Sequence, residues 1–315
     1  MARVLVTGGN GFAGRHLVAT LRERGDEVLV AGRSLDGDGI DHVLDLSERE
    51  NVLGLIDATR PRVIYHLAAV AFVPDAMHDP MGTYETNIMG TARLFEAVRE
   101  VYRDNAPPRC IFVSSAEVYG TRANDEYPLR ETLAPRPATP YAASKLAGEA
   151  VAVVASRTFG IPTIVTRAFN HIGPGQDERF AIPSFAKGLA EISRGAEATL
   201  SVGNLSSKRD FLDVRDVVSA YVALADDGLD GEVYNVCSGR PVSMAEILRQ
   251  LITVAHVAVE VRENSDLMRP SDNPLSYGDN TKLRAVTGWK PRFTLAQSLQ
   301  DVYAEASQRV HASAR

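Results

Sequence analysis

The opening fourteen residues restrict this chain more than any others. Arg3-Val4-Leu5-Val6-Thr7 is a short apolar, β-branched run, and Gly8-Gly9-Asn10-Gly11-Phe12-Ala13-Gly14 follows it directly. Glycines at 8, 11 and 14 behind a strand predict a tight turn into a helix. Lacking a Cβ, the first two let backbone N–H groups come close to a pyrophosphate, whose charge meets the positive end of the helix dipole. The third lets that helix pack against the sheet. Glycine-rich turns also form for backbone reasons alone, but a strand before and a helix after are the setting of a dinucleotide loop. Gly8, Asn10, Gly11, Phe12 and Gly14 are the candidate cofactor contacts.

Downstream, Glu27–Ala31, Val63–Leu67, Cys110–Ser114 and Pro162–Arg167 read as strands, and Gly11–Arg24, Thr83–Val101 and Tyr141–Phe159 as helices. The alternation predicts an α/β fold, a Rossmann-type doubly wound parallel sheet with helices on both faces. Beyond Asn170 the regularity weakens into the turn Gly173-Pro174-Gly175, a helix near Ser184–Ser193 and a region broken by Pro270 and Pro274. Val217–Ala225 and Val233–Val236 read as a helix and strand able to return to the main sheet. The expected division is a dinucleotide-binding domain over 1–168, with 212–238 returning to it, and a smaller C-terminal α/β substrate-binding lobe over 169–211 and 239–315.

At the end of the second strand, Ala31-Gly32-Arg33-Ser34 puts a cation and a hydroxyl where a carboxylate for the ribose 2′-hydroxyl usually stands. Those groups suit a 2′-phosphate, which favours NADP(H) and leaves NAD(H) open. A net charge of -6 offers no broad basic surface, so no nucleic-acid partner is expected. Cys110 and Cys237 each adjoin a buried-strand run and read as small core hydrophobes rather than zinc ligands or a disulfide. No apolar run approaches membrane-spanning length and the start leaves no room for a leader, so a cytoplasmic protein without a membrane partner is expected.

Tyr141-Ala142-Ala143-Ser144-Lys145 sets a phenol and an ammonium one helical turn apart and therefore on one face. A phenol with a pKa near 10 is a poor acid–base group at neutral pH, and a neighbouring cation favours its ionised form. Lys145 supplies such a cation and can also donate to a cofactor ribose. Ser115 closes the Cys110–Ser114 strand at its carboxyl end, the edge where parallel sheets bind ligands, and can hydrogen-bond a substrate oxygen that changes charge. Ser115, Tyr141 and Lys145 are the candidate catalytic residues.

Together these residues resemble the extended short-chain dehydrogenase/reductases acting on nucleotide sugars, over nearly the whole chain. Asp45-Leu46 matches the segment that lies by the adenine in that family, and His66-Leu67-Ala68-Ala69 the one that runs along the cofactor. Asp45, Leu46, Leu67, Ala68, Ala69 and Arg33 accordingly join the cofactor set, while Asn87 and Gly90 match the helix that follows. Arg167-Ala168-Phe169-Asn170-His171-Ile172-Gly173-Pro174-Gly175-Gln176, Lys208-Arg209-Asp210-Phe211-Leu212-Asp213-Val214-Arg215-Asp216, Arg269-Pro270-Ser271-Asp272 and Gly288-Trp289-Lys290-Pro291-Arg292 are similar to the GDP-sugar members. The resemblance implies that Asn170, Arg209 and Arg269 hold a substrate diphosphate and nucleotide, with Lys187 near them; a buried diphosphate needs such cations and amide donors. It also implies a homodimer in which Thr83–Val101 and Tyr141–Phe159 pair with their copies in a four-helix bundle, although an apolar stripe equally suits the chain's own core.

The family runs several reactions on one cofactor cradle. Its 4,6-dehydratases carry a Thr, an acid or Ser, and a Glu where this chain has Ser115-Ala116-Glu117. Glu117 keeps the carboxylate a dehydratase uses as base, but Ala116 has no proton to give, and 4-epimerases usually carry a small residue in place of Glu117. The resemblance therefore implies reduction of the C4 keto group of GDP-4-dehydro-6-deoxy-D-mannose to GDP-D-rhamnose, with Glu117 as a hydrogen-bonding carboxylate near the substrate. Dehydration of GDP-mannose and 4-epimerisation stay as alternatives. A dinucleotide-sensing regulator is the reading outside enzymes; such proteins typically lose the Tyr or Lys that this chain keeps.

Overall fold

The computed structural model describes residues 2–33, 39–268 and 273–313. The first half runs β1 (Arg3–Thr7), α1 (Phe12–Glu23), β2 (Glu27–Gly32), β3 (His42–Val43), α2 (Arg49–Thr59), β4 (Val63–His66), α3 (Val73–His78), α4 (Pro80–Tyr84), α5 (Gly90–Val101), β5 (Arg109–Ser115), α6 (Pro140–Phe159) and β6 (Thr163–Ala168). The second half runs β7 (Asn170–Ile172), α7 (Ala181–Ile192), β8 (Thr199–Val202), β9 (Lys208–Asp213), α8 (Val214–Asp227), β10 (Val233–Val236), β11 (Pro241–Ser243), α9 (Met244–Ala255), β12 (Glu260–Glu263), β13 (Leu275–Ser276), α10 (Thr281–Thr287) and α11 (Leu295–Ser313).

Seven strands form one sheet in the order β10-β6-β5-β4-β1-β2-β3, every pairing parallel. A strand covered by helices on both faces has no solvent side, which is why β1 and β5 carry unbroken apolar stretches rather than alternating ones. On one face α1 and α8 pack through Leu17, Val18, Leu21, Val217, Tyr221 and Leu224, and Leu283 of α10 and Trp289 join the same core. On the other, α2, α5 and α6 bury Val52, Ile56, Leu94, Val98 and Ala152. The strand order reverses at β1, which lies between β2 and β4, and the crevice for a ligand opens at the carboxyl ends of these strands.

The remaining strands leave the main sheet. β7, β11 and β13 each pair with β9, and β8 pairs with β12. A separate core of Phe185, Leu189, Ile247, Leu251, Leu299 and Val302 joins α7, α9 and α11. No helix among the described residues is long and apolar enough to cross a membrane.

The helix expected over Thr83–Val101 is not uniform. Between α4 and α5, Glu85–Met89 forms a π-helical turn. The wider turn carries Asn87 to Val70, whose backbone it satisfies twice: Asn87 Oδ1 accepts the Val70 N–H at 2.8 Å and Nδ2 donates to its carbonyl at 3.0 Å. π-helical turns of this kind are frequent at functional sites.

Candidate active site

Two glycines of the first turn are fixed by contact. Gly8 has φ +70, and a Cβ on it would stand 2.8 Å from the Ala68 nitrogen; a Cβ on Gly14 would stand 2.2 Å from the Gly8 carbonyl oxygen. The loop therefore presses against Leu67-Ala68 beyond β4, and α1 presses against the loop. Gly11 is the N-cap of α1 and offers no side chain to its first amides, which leaves their N–H groups for an anion. Asn10 sits beside Gly32 at the end of β2. From the other side Phe12 stacks on His171, ring centroids 5.7 Å apart, while Arg15 donates to the Gly175 carbonyl at 2.9 Å.

The rest of the expected cofactor set borders the same crevice. Ala69 follows Leu67-Ala68 half-buried at the mouth of β4, and Leu46 is buried against Gly90. Asp45 accepts from the Ser47 hydroxyl at 2.7 Å and its N–H at 2.9 Å, and these bonds, aided by the charge of Arg33, hold its carboxyl below the usual range. Arg33 is exposed at the end of β2. A glycine cradle that side chains would fill, free helix-terminal amides and a cation at the β2 terminus fit a nicotinamide dinucleotide.

Beneath the cradle runs a buried chain of hydrogen bonds that the sequence did not announce. Thr7 Oγ1 lies 2.8 Å from His66 Nδ1, and His66 Nε2 lies 3.0 Å from Thr91 Oγ1. Thr91 donates its own proton to the Asn87 carbonyl at 2.7 Å, so it accepts from Nε2, and Nδ1 accepts from Thr7. Burial, reinforced by the charge of Lys145, pushes His66 down to about 3, so the ring is neutral. Asn87 Nδ2 also donates to Ser144 Oγ at 2.9 Å, and Ser144 to the Tyr141 carbonyl at 2.8 Å. The chain thus ties β1, β4 and α5 to the first turn of α6.

That turn carries the proton-transfer candidates. Thr139 caps α6 by accepting the Ala142 N–H at 3.1 Å, and Pro140 occupies the first helical position. Tyr141, Lys145 and Ser115 are buried together. The structure corrects one expectation: the phenol is not depressed by the lysine. Burial raises Tyr141 to about 12, the Ser115 hydroxyl works against the rise, and the Glu117 charge adds to it. Lys145 instead donates to the Val113 carbonyl at 2.8 Å and lies 5.4 Å from the Phe112 ring centroid. Burial lowers Lys145 to about 8, while Glu149 opposes the fall. Ser115 caps the short 3-10 turn that follows by accepting the Glu117 N–H at 3.2 Å, and the Glu117 side chain is exposed.

The substrate candidates are less uniform. Asn170 opens β7, opposite Phe211 of β9 and two positions from Arg209. Asn170 is exposed; Arg209 is half-buried and donates to the Lys208 carbonyl at 3.0 Å. Lys187 on α7 is engaged with Glu178 at 2.7 Å, in a small cleft that Glu305 and Arg309 of α11 also line. Arg269 lies outside the described residues.

The family described as GDP-mannose 4,6 dehydratase matches residues 5–302. The chain belongs to this family of short-chain dehydrogenase/reductases. Its relatives include GDP-6-deoxy-D-mannose reductase of Pseudomonas aeruginosa, 37% identical over 98% of each chain. GDP-6-deoxy-D-talose 4-dehydrogenase of Aggregatibacter actinomycetemcomitans is 32% identical over 96% of this chain and 97% of the relative. Among solved structures, RMD from Pseudomonas aeruginosa complexed with NADPH superposes with a TM-score of 0.89 at 36% identity, covering 98% of this chain and 100% of that one. UDP-glucose 4-epimerase of Thermus thermophilus in complex with NAD gives 0.85 at 31% identity, covering 96% and 98%. As a member of a dehydratase, reductase and epimerase family, the chain is an oxidoreductase that uses a nicotinamide dinucleotide.

Proposed function

We propose that the chain reduces the C4 keto group of GDP-4-dehydro-6-deoxy-D-mannose with NADPH to give GDP-D-rhamnose. The observation that carries the reading is Ala116, an apolar residue between Ser115 and Glu117 beside Tyr141, where dehydration would need a proton donor for the departing hydroxyl. The Pseudomonas reductase at 37% identity supports it.

Bound NADPH supplies the hydride that C4 receives. Tyr141 gives its phenolic proton to the oxygen on C4, and a phenol held near 12 arrives at neutral pH with that proton in place. Ser115 hydrogen-bonds the same oxygen, Lys145 donates to the cofactor ribose, and Glu117 hydrogen-bonds the sugar. Gly8, Asn10, Gly11, Phe12 and Gly14 cradle the pyrophosphate, Asp45, Leu46, Leu67, Ala68 and Ala69 line the adenosine and ribose, and Arg33 takes the 2′-phosphate, which favours NADPH over NADH. Asn170, Arg209, Arg269 and Lys187 serve the GDP moiety. Residues 1–168 with 212–238 form the cofactor domain, and 169–211 with 239–315 the substrate lobe, of an enzyme that works in the cytoplasm. It works as a homodimer through α5 and α6: Met81, Met89, Val154 and Phe159 are exposed at 73%, 46%, 48% and 49% around that pair of helices.

Glu117 keeps GDP-mannose dehydration as the second reading. Product NMR with GDP-mannose and GDP-4-dehydro-6-deoxymannose supplied separately, each with NADPH and with NADH, separates them. A reductase consumes only the keto sugar and oxidises one cofactor per turnover. Consumption of GDP-mannose without net cofactor oxidation would overturn the assignment.

A further inference from the structure

One turn beyond Lys145 on α6 lies a charged residue to which the proposed chemistry gives no part. Glu149 shares the helical face of Tyr141 and Lys145 and is 4% exposed. Its carboxylate accepts from Arg167 on β6 twice, from Nε at 2.9 Å and from Nη2 at 2.7 Å. It also accepts from Ser114 Oγ at 2.6 Å, one residue before Ser115 on β5. The guanidinium lies 4.8 Å from the Tyr119 ring centroid, and its Nη1 has no hydrogen-bond partner.

Two cations and one anion are therefore buried behind the site. A buried ion pair adds little stability over apolar residues of the same volume, so stability alone does not account for a carboxylate at this place. The groups acting on Lys145 are the Phe112 ring and Val113 carbonyl from β5, neutral His66 from β4, and Glu149 one turn on along its own helix. Those facing Glu149 are Arg167, Ser114 and Lys145, with Tyr119 behind Arg167. Among them Glu149, one helical turn from Lys145 and buried with it, is the anion whose charge acts on the ammonium, while the Glu117 charge acts on Tyr141.

We propose that Glu149 is a positioning residue: clamped by Arg167 and Ser114, its carboxylate keeps the Lys145 ammonium charged inside a water-poor site, so that Lys145 can hold the cofactor ribose beside Tyr141. The inference rests on the reading of Lys145 given above. It makes Arg167 a moderator, since the guanidinium draws on the same carboxylate. Tyr141, raised to about 12, titrates above the range in which Lys145 changes charge.

The test compares Glu149→Gln and Arg167→Met. NADPH affinity, read from nicotinamide fluorescence, and kcat/KM for the keto sugar are followed over roughly pH 6 to 10, the span in which a lowered lysine titrates. Glu149→Gln should move the alkaline limb of both curves down by about one pH unit, the size of effect an adjacent opposite charge exerts. Arg167→Met removes the cation that competes for the carboxylate and should move the limb up. Glu149→Gln strands two buried cations and is the more fragile variant; if it does not fold, Arg167→Met alone decides. Limbs that stay at the wild-type pH, or that shift the same way in both variants, overturn the proposal, since a merely structural role lowers amplitude at every pH without moving the limb. The binding curves need no sugar, so an error in the substrate assignment leaves them intact.

Discussion

At the scale of single residues, burial outweighs neighbouring charge. Tyr141 keeps its proton at neutral pH, which suits donation to the oxygen of a reduced carbonyl. Tyr141→Phe should lower kcat by about 10²- to 10⁴-fold, the usual worth of positioned proton transfer, while NADPH binding measured by fluorescence persists; unchanged kcat would remove Tyr141 from the mechanism. Arg33→Ala should weaken NADPH binding by about tenfold, in keeping with the loss of one charge-assisted contact, and leave NADH affinity as it was; isothermal titration with both cofactors checks this. His66 makes a different prediction. Its folded-state pKa of about 3 lies below the ordinary value of 6.5. Between these two values the unfolded chain binds a proton that the folded chain refuses, so this contribution to stability is complete above the upper value and falls as pH drops through the window. His66→Gln cannot titrate. The melting-temperature gap between wild type and His66→Gln should therefore narrow from pH 7 to pH 4 in calorimetry, and a constant gap would contradict the neutral, doubly bonded imidazole.

At the scale of elements, what the sequence disclosed is what local pattern can encode. β1, β2, β4, β5, β6 and β10 were legible because strands buried on both faces are written as short runs rich in apolar and β-branched residues. Tyr141 and Lys145 were legible because one helical turn brings them together wherever α6 lies. The Met244, Ile247, Leu248, Leu251 and Ala255 stripe of α9 was also readable as an apolar face, though the weaker regularity after Asn170 obscured it. The π-helical turn was not readable, since a single widened turn leaves the apolar pattern from Thr83 to Val101 continuous. Nor were the Thr7–His66–Thr91 chain and the Glu149–Arg167 clamp, whose partners lie on different strands and helices and meet only once the sheet exists. The direction of the Tyr141 shift was missed for the same reason: it depends on how deeply α6 is buried. Asn87→Ala removes the hydrogen bonds to both Val70 backbone groups and to Ser144, and should cost about 2–4 kcal/mol, since buried partners are left unsatisfied. Urea unfolding measures it, and a loss below about 0.5 kcal/mol, within the range of an ordinary surface substitution, would mean that the π-helical turn holds its shape without the side chain.

At the scale of the whole molecule, α6 has two faces of different character. Its inner face bears Tyr141, Lys145 and Glu149, and its outer face exposes Val154 and Phe159. Val154→Asp places a charge on that outer face and should convert the expected homodimer to monomers in sedimentation velocity, with the inner face and NADPH binding intact; an unchanged sedimentation coefficient would exclude this face as the contact.

The position of β10 beside β6 governs how the molecule can be made. Residues 163–168 wait for residues 233–236 to complete the sheet, and α7, β8, β9 and α8 are strung between them. While the ribosome is still translating that stretch, β6 presents a bare row of backbone donors and acceptors on a strand whose residues are all buried in the finished fold, the kind of edge that recruits other chains. A chain ending after Ala168 keeps that edge open, and light scattering should find it clumped rather than a working half-enzyme.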